Sequence, residues 1–185
     1  MEGALRFLVS DEPKARSLRK RFAFVLVPTM DPDGVSNGLV RYNAWGYDLD
    51  RHWDEVDPTR DDKKKVMPEI WHVKRRIWDE LDAGHAIDLM VNLHAANDTE
   101  AIETQATDPA ARDRIRRLHA ALLAGSAFDP TSEPIVRTEP IGDTNVLARQ
   151  RGVPVARIDL RIGTGKKLGR RPTVDDCLKF GRDLV

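Results

Sequence analysis

The run Phe22-Ala23-Phe24-Val25-Leu26-Val27 is almost continuously apolar and stops at Pro28. A short apolar run of this kind predicts a strand buried on both faces. A second such run spans Ile87 to Leu93. Between them lies a helical pattern that Pro68 opens and Gly84 closes, with Ile70, Val73, Ile77 and Leu81 on one face. Strand, helix and strand in that order predict a βαβ unit with a parallel sheet. Elsewhere, Leu5, Leu8 and Val9 share a helical face, and Ser10 is placed to cap a second short helix through Lys20. Ile115, Leu118, Leu122 and Leu123 mark a helix over 109–124. Residues 143–151 read as helical, 155–162 as a strand, and Thr173 as the cap of a last helix through Leu184. The expected class is α/β: a three-layer αβα arrangement around a mostly buried, mainly parallel or mixed sheet. No domain boundary interrupts it.

Composition narrows the function. The chain has 30 basic and 30 acidic side chains among 185 residues, so nucleic acid is not an expected partner. The short basic runs 63–65 and 166–167 read as solvated loops. A lone cysteine, Cys177, excludes an intrachain disulfide and a thiolate metal cluster, and fits a reducing compartment. No apolar run approaches the ~20 residues of a membrane helix. The N-terminus lacks the basic start and long apolar stretch of a signal peptide. A cytoplasmic protein without membrane partners is expected; the sequence does not fix its oligomeric state.

Three constellations carry chemistry. Pro28 to Gly34, at the end of the first predicted strand, sits where α/β sheets hold ligands, although such a cluster also reads as an ordinary turn. Residues 38–53, in a long loop region, place Arg41 and Arg51 among aromatics. The planar guanidinium fork fits carboxylates and oxyanions, but both arginines have Asp48, Asp50 and Asp54 as alternative partners. His94 closes the second predicted strand, where its ring could ligate a metal or serve the packing.

Taken in this order, the motifs resemble the zinc carboxypeptidase family. The resemblance is carried by Pro-Thr-Met-Asp-Pro-Asp-Gly at 28–34, Gly-Tyr-Asp-Leu-Asp-Arg-His-Trp at 46–53, Leu-His-Ala at 93–95 and Lys167 through Asp176 followed by Phe180-Gly181. It implies a zinc cofactor with His94 as the third ligand and Asp159 in the place of the family's glutamate base. Arg41 is implied as the oxyanion-stabilising cation, and Arg51, with Asp50 and Asn43, as the contacts of the substrate's end. The implied substrate is a peptide or an acylated small molecule. Asp50 stands where the family usually has asparagine, and an ionised carboxylate accepts but cannot donate. Asp159 is one methylene shorter than glutamate, and a misplacement of about 1 Å can cost about 100-fold in rate. The family's first two ligands come from a His-x-x-Glu motif ahead of the first helix. The chain is read as beginning inside that helix and lacking the motif, so that residues 1–185 form a partial, N-terminally truncated catalytic domain. The alternative is a non-catalytic relative that binds acidic peptide ends through Arg41 and Arg51.

Overall fold

The computed structural model describes residues 1–139 and 142–185. Two short helices, α1 (Glu2–Leu8) and α2 (Pro13–Arg21), open the chain. Ser10 does not cap α2. The helix starts one residue after Glu12, with Pro13 in its first turn, while the Ser10 hydroxyl donates to the Phe7 carbonyl. Proline in a first turn costs nothing, because its missing N–H would have no helical partner there. A one-turn helix, α3 (Pro32–Ser36), follows, with the Asp31 carboxylate accepting from Gly34 N at 2.8 Å.

The apolar run 22–27 departs from expectation. It joins no ladder, and Phe22, Phe24, Val25 and Val27 are exposed by 40–66%. The predicted βαβ unit therefore does not form. A strand needs a neighbour for its backbone groups, and local apolarity cannot supply one.

The sheet is built from β1 (Met90–Ala96), β2 (Ala101–Thr104), β3 (Ile135–Val136) and β4 (Val155–Arg161), in the order β1-β4-β2-β3. β1 runs parallel to β4, with Met90 opposite Val155 and His94 opposite Asp159. β2 is antiparallel to β4 and parallel to β3, so the sheet is mixed. The helices α4 (Pro68–Asp82), α5 (Pro109–Gly125), α6 (Val146–Arg151) and α7 (Val174–Asp183) complete an α/β fold. The helix expected over 143–151 begins only at Val146, because Asp143, Thr144 and Asn145 form a turn before it.

Side-chain alternation along the strands separates two cores. Met90 and Val155 pack with Ile70, Trp71 and Leu147 from α4 and α6. Val91, Leu93, Ala156 and Ile158, on the other face, pack with Ile115 and Leu122 of α5 and Phe180 of α7. α1 meets α7 where a Cβ on Gly3 would lie 1.9 Å from the Leu178 carbonyl oxygen and one on Gly181 2.9 Å from Ala4 N, so only glycine permits this approach.

Candidate functional site

The face of β1 and β4 that packs on α4 and α6 is apolar only at its beginning. Two residues beyond Met90 comes Asn92, and two beyond that His94. Two residues beyond Val155 comes Arg157, then Asp159. A period of two thus carries one sheet face from core to polar cluster at the carboxyl ends of two parallel strands. The opposite face remains apolar throughout.

Two loops bring further charges to this edge. Residues 41–53 supply Asp48, Asp50 and Arg51, and the turn before α6 supplies Asp143. Asp50 Oδ1 lies 3.4 Å from His94 Nε2, within ion-pairing distance but without the alignment of a hydrogen bond. Arg157 sits among three carboxylates: its guanidinium is 3.0 Å from Asp143, 3.4 Å from Asp159 and 3.6 Å from Asp50. Asp143 is fully buried and also accepts from Asn145 N at 2.8 Å. Asn92 donates to the Thr144 hydroxyl at 2.7 Å and so ties β1 to the same turn.

This environment displaces the titrations in opposite directions. Burial pushes the His94 imidazole below its ordinary range, against the pull of Asp50. Burial raises the Asp50 carboxyl, and the charges of His94 and Arg157 only partly offset it. For Arg157 burial acts to lower the value, but the hydrogen bond to Asp143 and the charges of Asp50 and Asp159 outweigh it and hold the guanidinium firmly protonated.

Arg41 lies further out, joined to the cluster through Asp48. Its Nε and one terminal nitrogen donate to Asp48 Oδ2 at 3.0 and 2.6 Å, and Asp48 Oδ1 accepts from Asp50 N at 3.0 Å. Arg41 is also the one non-glycine residue with positive φ among the described residues, at 71°. Such backbone strain persists only where surrounding structure enforces it, and it collects at ligand sites. Arg51 is exposed; its backbone N donates to the Asp48 carbonyl at 3.0 Å, but its guanidinium has no ion-pair or hydrogen-bond partner among the described residues. Asn43 is placed differently from an expected substrate contact. It is 1% exposed; its amide donates to the Val66 carbonyl at 2.9 Å, and its oxygen accepts from Trp45 N and Tyr47 N at 3.0 Å. Its polar capacity is spent on shaping the loop.

The loop is held from below. The indole of Trp53 donates to the Leu49 carbonyl at 2.8 Å, and Trp53 N donates to the Gly142 carbonyl at 2.9 Å. A Cβ on Gly142 would stand 1.9 Å from the Arg51 carbonyl oxygen, so the contact between the two loops depends on glycine there. Lys74 of α4, with no solvent exposure, donates to the carbonyls of Trp53 and Val56 at 2.7 and 2.6 Å.

Of the residues singled out from the sequence, His94, Asp50 and Asp159 meet in this cluster, together with Arg157. Sequence reasoning missed Asp143, whose Gly-Asp-Thr-Asn setting at 142–145 is indistinguishable from an ordinary turn. It also missed one His-x-x-Glu spelling, His52-Trp53-Asp54-Glu55. The structure pairs those two side chains with each other, His52 Nδ1 to Glu55 Oε1 at 2.8 Å, with Lys63 3.6 Å from Glu55.

A catalytic zinc requires about three protein ligands. His94 Nε2 is buried and free of hydrogen bonds, as a ligand nitrogen should be, and Asp50 could offer an oxygen. No group of three His, Cys, Asp or Glu side chains able to hold a metal occurs among the described residues. The nearby carboxylates are already engaged by the Arg157 guanidinium. The donor set present does not by itself fit a catalytic zinc.

No family model matches the chain. Among curated proteins, it is 36% identical over 94 residues to cytosolic carboxypeptidase 4 of Homo sapiens, covering 51% of this chain and 8% of that protein. It is 44% identical over 95 residues to cytosolic carboxypeptidase 6 of Mus musculus, covering 51% of this chain and 16% of that protein. Among solved structures, it superposes on a metallo-carboxypeptidase from Pseudomonas aeruginosa in complex with (2-guanidinoethylmercapto)succinic acid, with a TM-score of 0.77 and 20% identity. A metallo-carboxypeptidase from Burkholderia cenocepacia gives a TM-score of 0.76 and 19% identity. Both superpositions cover 98% of this chain and 49% of the other. The chain therefore spans about half the length of these solved structures and a small part of the curated relatives. The structural likeness establishes the shared α/β fold. No helix among the described residues is long and apolar enough to cross a membrane.

Proposed function

We propose that this chain, a relative of the zinc carboxypeptidase family, forms the substrate-binding and base-bearing part of a zinc-dependent site that hydrolyses C-terminal peptide or related amide bonds. The observation that carries the reading is the exposed, unpaired Arg51 in a loop whose neighbour Asp50 reaches His94, directly across the ladder from Asp159. Arg51 binds the terminal carboxylate of a peptide or acylated small molecule, for which its bidentate fork is suited. Asp50 lies beside that carboxylate, with the Arg157 guanidinium 3.6 Å from it to offset the repulsion of two acidic groups. Asp159 is the general base, and Arg41, oriented by Asp48, stabilises negative charge developing on the scissile carbonyl oxygen. His94 offers one metal ligand. The remaining ligands lie outside the set these residues present, and residues 1–185 act as part of a catalytic domain. The names of the curated relatives support a cytoplasmic location.

A second reading, a non-catalytic relative that binds acidic peptide ends, is favoured by Arg157, whose guanidinium engages the carboxylates of the cluster. Calorimetric titration with zinc separates the two. A stoichiometric submicromolar site lost in His94→Ala means that a full ligand set exists; weak binding is expected of His94 and Asp50 alone. The reading of Arg51 is tested with one peptide in two forms, free and amidated at its C-terminus. Arg51→Ala should weaken binding of the free form about 10- to 100-fold, as loss of a charge-assisted hydrogen bond does, and leave the amidated form unchanged. Equal affinity of the intact protein for both forms refutes it. Where hydrolysis is measurable, Asp159→Asn should abolish it and Asp159→Glu should not lower it. Equal rates in all three forms remove Asp159 from the role of base.

A further inference from the structure

One guanidinium joins three separate parts of the charged cluster. Arg157 Nη1 donates to Asp143 Oδ2 at 3.0 Å and lies 3.6 Å from Asp50 Oδ2, while Nη2 reaches Asp159 Oδ1 at 3.4 Å. The three partners are held differently. Asp143 is fully buried and also accepts from Asn145 N, so it fixes the guanidinium from beneath. Asp159 stands two residues along the same strand. Asp50 alone comes from the 41–53 loop, where it is the immediate neighbour of Arg51. Both of its oxygens face inward, Oδ1 at 3.4 Å from His94 Nε2 and Oδ2 towards Arg157. The five side chains are no more than 21% exposed. Every contact is made between groups of this chain, so none depends on what lies outside it.

An ionised Asp50 beside Arg51 is a difficulty for a site that takes a carboxylate. Two like charges a few ångströms apart in a partly buried place weaken binding by about ten-fold or more. Arg157 removes the difficulty in two ways: it supplies a positive charge next to Asp50, and it draws that carboxylate towards β4. An arginine suits this task better than a lysine. Its rigid, planar fork serves several carboxylates at once, and it keeps its proton at every working pH. Asp50 stands where the zinc carboxypeptidase pattern usually has asparagine, and Arg157 is the cation that makes the exchange tolerable.

We infer that Arg157 is a positioning residue that acts through Asp50 to set the charge of the ligand end the site accepts: an anionic end with Arg157 in place, a neutral end without it. The inference rests on the reading of Arg51 as the carboxylate-binding residue.

The test is calorimetric binding of acetyl-trialanine and of its C-terminal amide, two probes that differ in charge only at the end group. The intact protein should prefer the acid. Arg157→Gln should weaken binding of the acid about ten-fold or more and change that of the amide about two-fold at most, so that the preference disappears or reverses. Adding Asp50→Asn to Arg157→Gln should bring the preference for the acid back, a rescue that general damage to the fold does not produce. Arg157→Gln strands the buried Asp143, so folding is checked first by circular dichroism. If it does not fold, the same comparison is made with Asp143→Asn as the background, and Arg157→Lys, which keeps the charge without the fork, should retain part of the preference. A folded Arg157→Gln protein that keeps the full preference, or loses it to the same degree with and without Asp50→Asn, overturns the inference and leaves Arg51 in its role. An intact protein that does not distinguish acid from amide overturns the reading of Arg51 and this inference together.

Discussion

Replacing Lys74 by methionine probes how the 41–53 loop is anchored, because Lys74 is a cation with no solvent exposure whose partners are chiefly the carbonyls of Trp53 and Val56, with Gln150 Oε1 at 3.0 Å. Burial pushes its amine from the ordinary 10.5 down to about 8, while the distant charges of Asp57 and Asp54 pull weakly the other way. Each pH unit of such a displacement corresponds to about 1.4 kcal/mol, so the charged form is penalised in the fold by roughly 3 kcal/mol. The sign follows from proton binding. Below pH 8 the amine is protonated folded and unfolded, and the penalty is present in full. Between about 8 and 10.5 the unfolded chain keeps the proton that the folded one has released, so stability rises with pH. Above 10.5 both forms are neutral and the gain is complete.

Lys74→Met abolishes this titration and leaves the two carbonyls without a donor, at about 1–3 kcal/mol for each buried group left unsatisfied. That cost is independent of pH, whereas the charge effect is not. Urea unfolding of both proteins, followed by the fluorescence of Trp53, Trp71 and Trp78, should be repeated from pH 7 to 10.5. Other lysines and the tyrosines titrate alike in both proteins and cancel in the difference. The stability of the native protein minus that of the variant should climb by about 3 kcal/mol between pH 8 and 10.5. A flat difference would show that Lys74 titrates normally and that its burial carries no penalty.

Gly142→Ala should cost about 1–3 kcal/mol in urea unfolding, the usual scale of overpacking, because the added Cβ meets the Arg51 carbonyl at 1.9 Å; unchanged stability would mean that the two loops do not touch so closely. Arg157→Leu should cost about 3–5 kcal/mol by stranding carboxylates that the guanidinium neutralises. A second substitution, Asp143→Asn, should recover part of that loss. Additive effects in this double-mutant cycle would mean that Arg157 and Asp143 are not coupled.

The sequence made the strand-borne part of the site legible because strands repeat every two residues. Once 87–93 and 155–162 are strands, His94 and Asp159 are forced to particular faces, and β4 does place Asp159 with Arg157 on one side and Ile158 on the other. Helices α4 and α5 were legible for the same reason with a period of 3.6, and α7 from the Thr173 cap that opens it. Residues 22–27 show where such reasoning ends. Their composition favours a strand, but whether a strand forms and is buried depends on which other segment lies beside it. β2 and β3, at four and two residues, are too short to show a period. Asn43 and Asp143 were opaque for a different cause: an asparagine that builds a loop and one that touches a ligand are the same residue in the same kind of stretch, and only the Val66, Trp45 and Tyr47 partners tell them apart.

The two halves of the cluster are fixed by unlike means, yet both are stiff. His94 and Asp159 are locked by a parallel ladder that continues two residues beyond them, through Ala96 and Arg161. Asp50 and Arg51 lie on a loop, and loops ordinarily move. This one is pinned at three places within a few residues: Trp53 Nε1 to Leu49, Trp53 N to Gly142, and Lys74 to the carbonyls of Trp53 and Val56. The first two bonds fix the residues that bracket Arg51, while the third anchors the loop to α4. A carboxylate-binding arginine held in this way loses less freedom when it captures a ligand, because its backbone is already ordered. The side chain alone remains exposed and unpaired among the described residues. If Arg51 binds a substrate carboxylate as proposed, cutting the Lys74 clamp should weaken peptide binding from a distance, and the loss should be larger for a peptide with a free C-terminal carboxylate than for its amide.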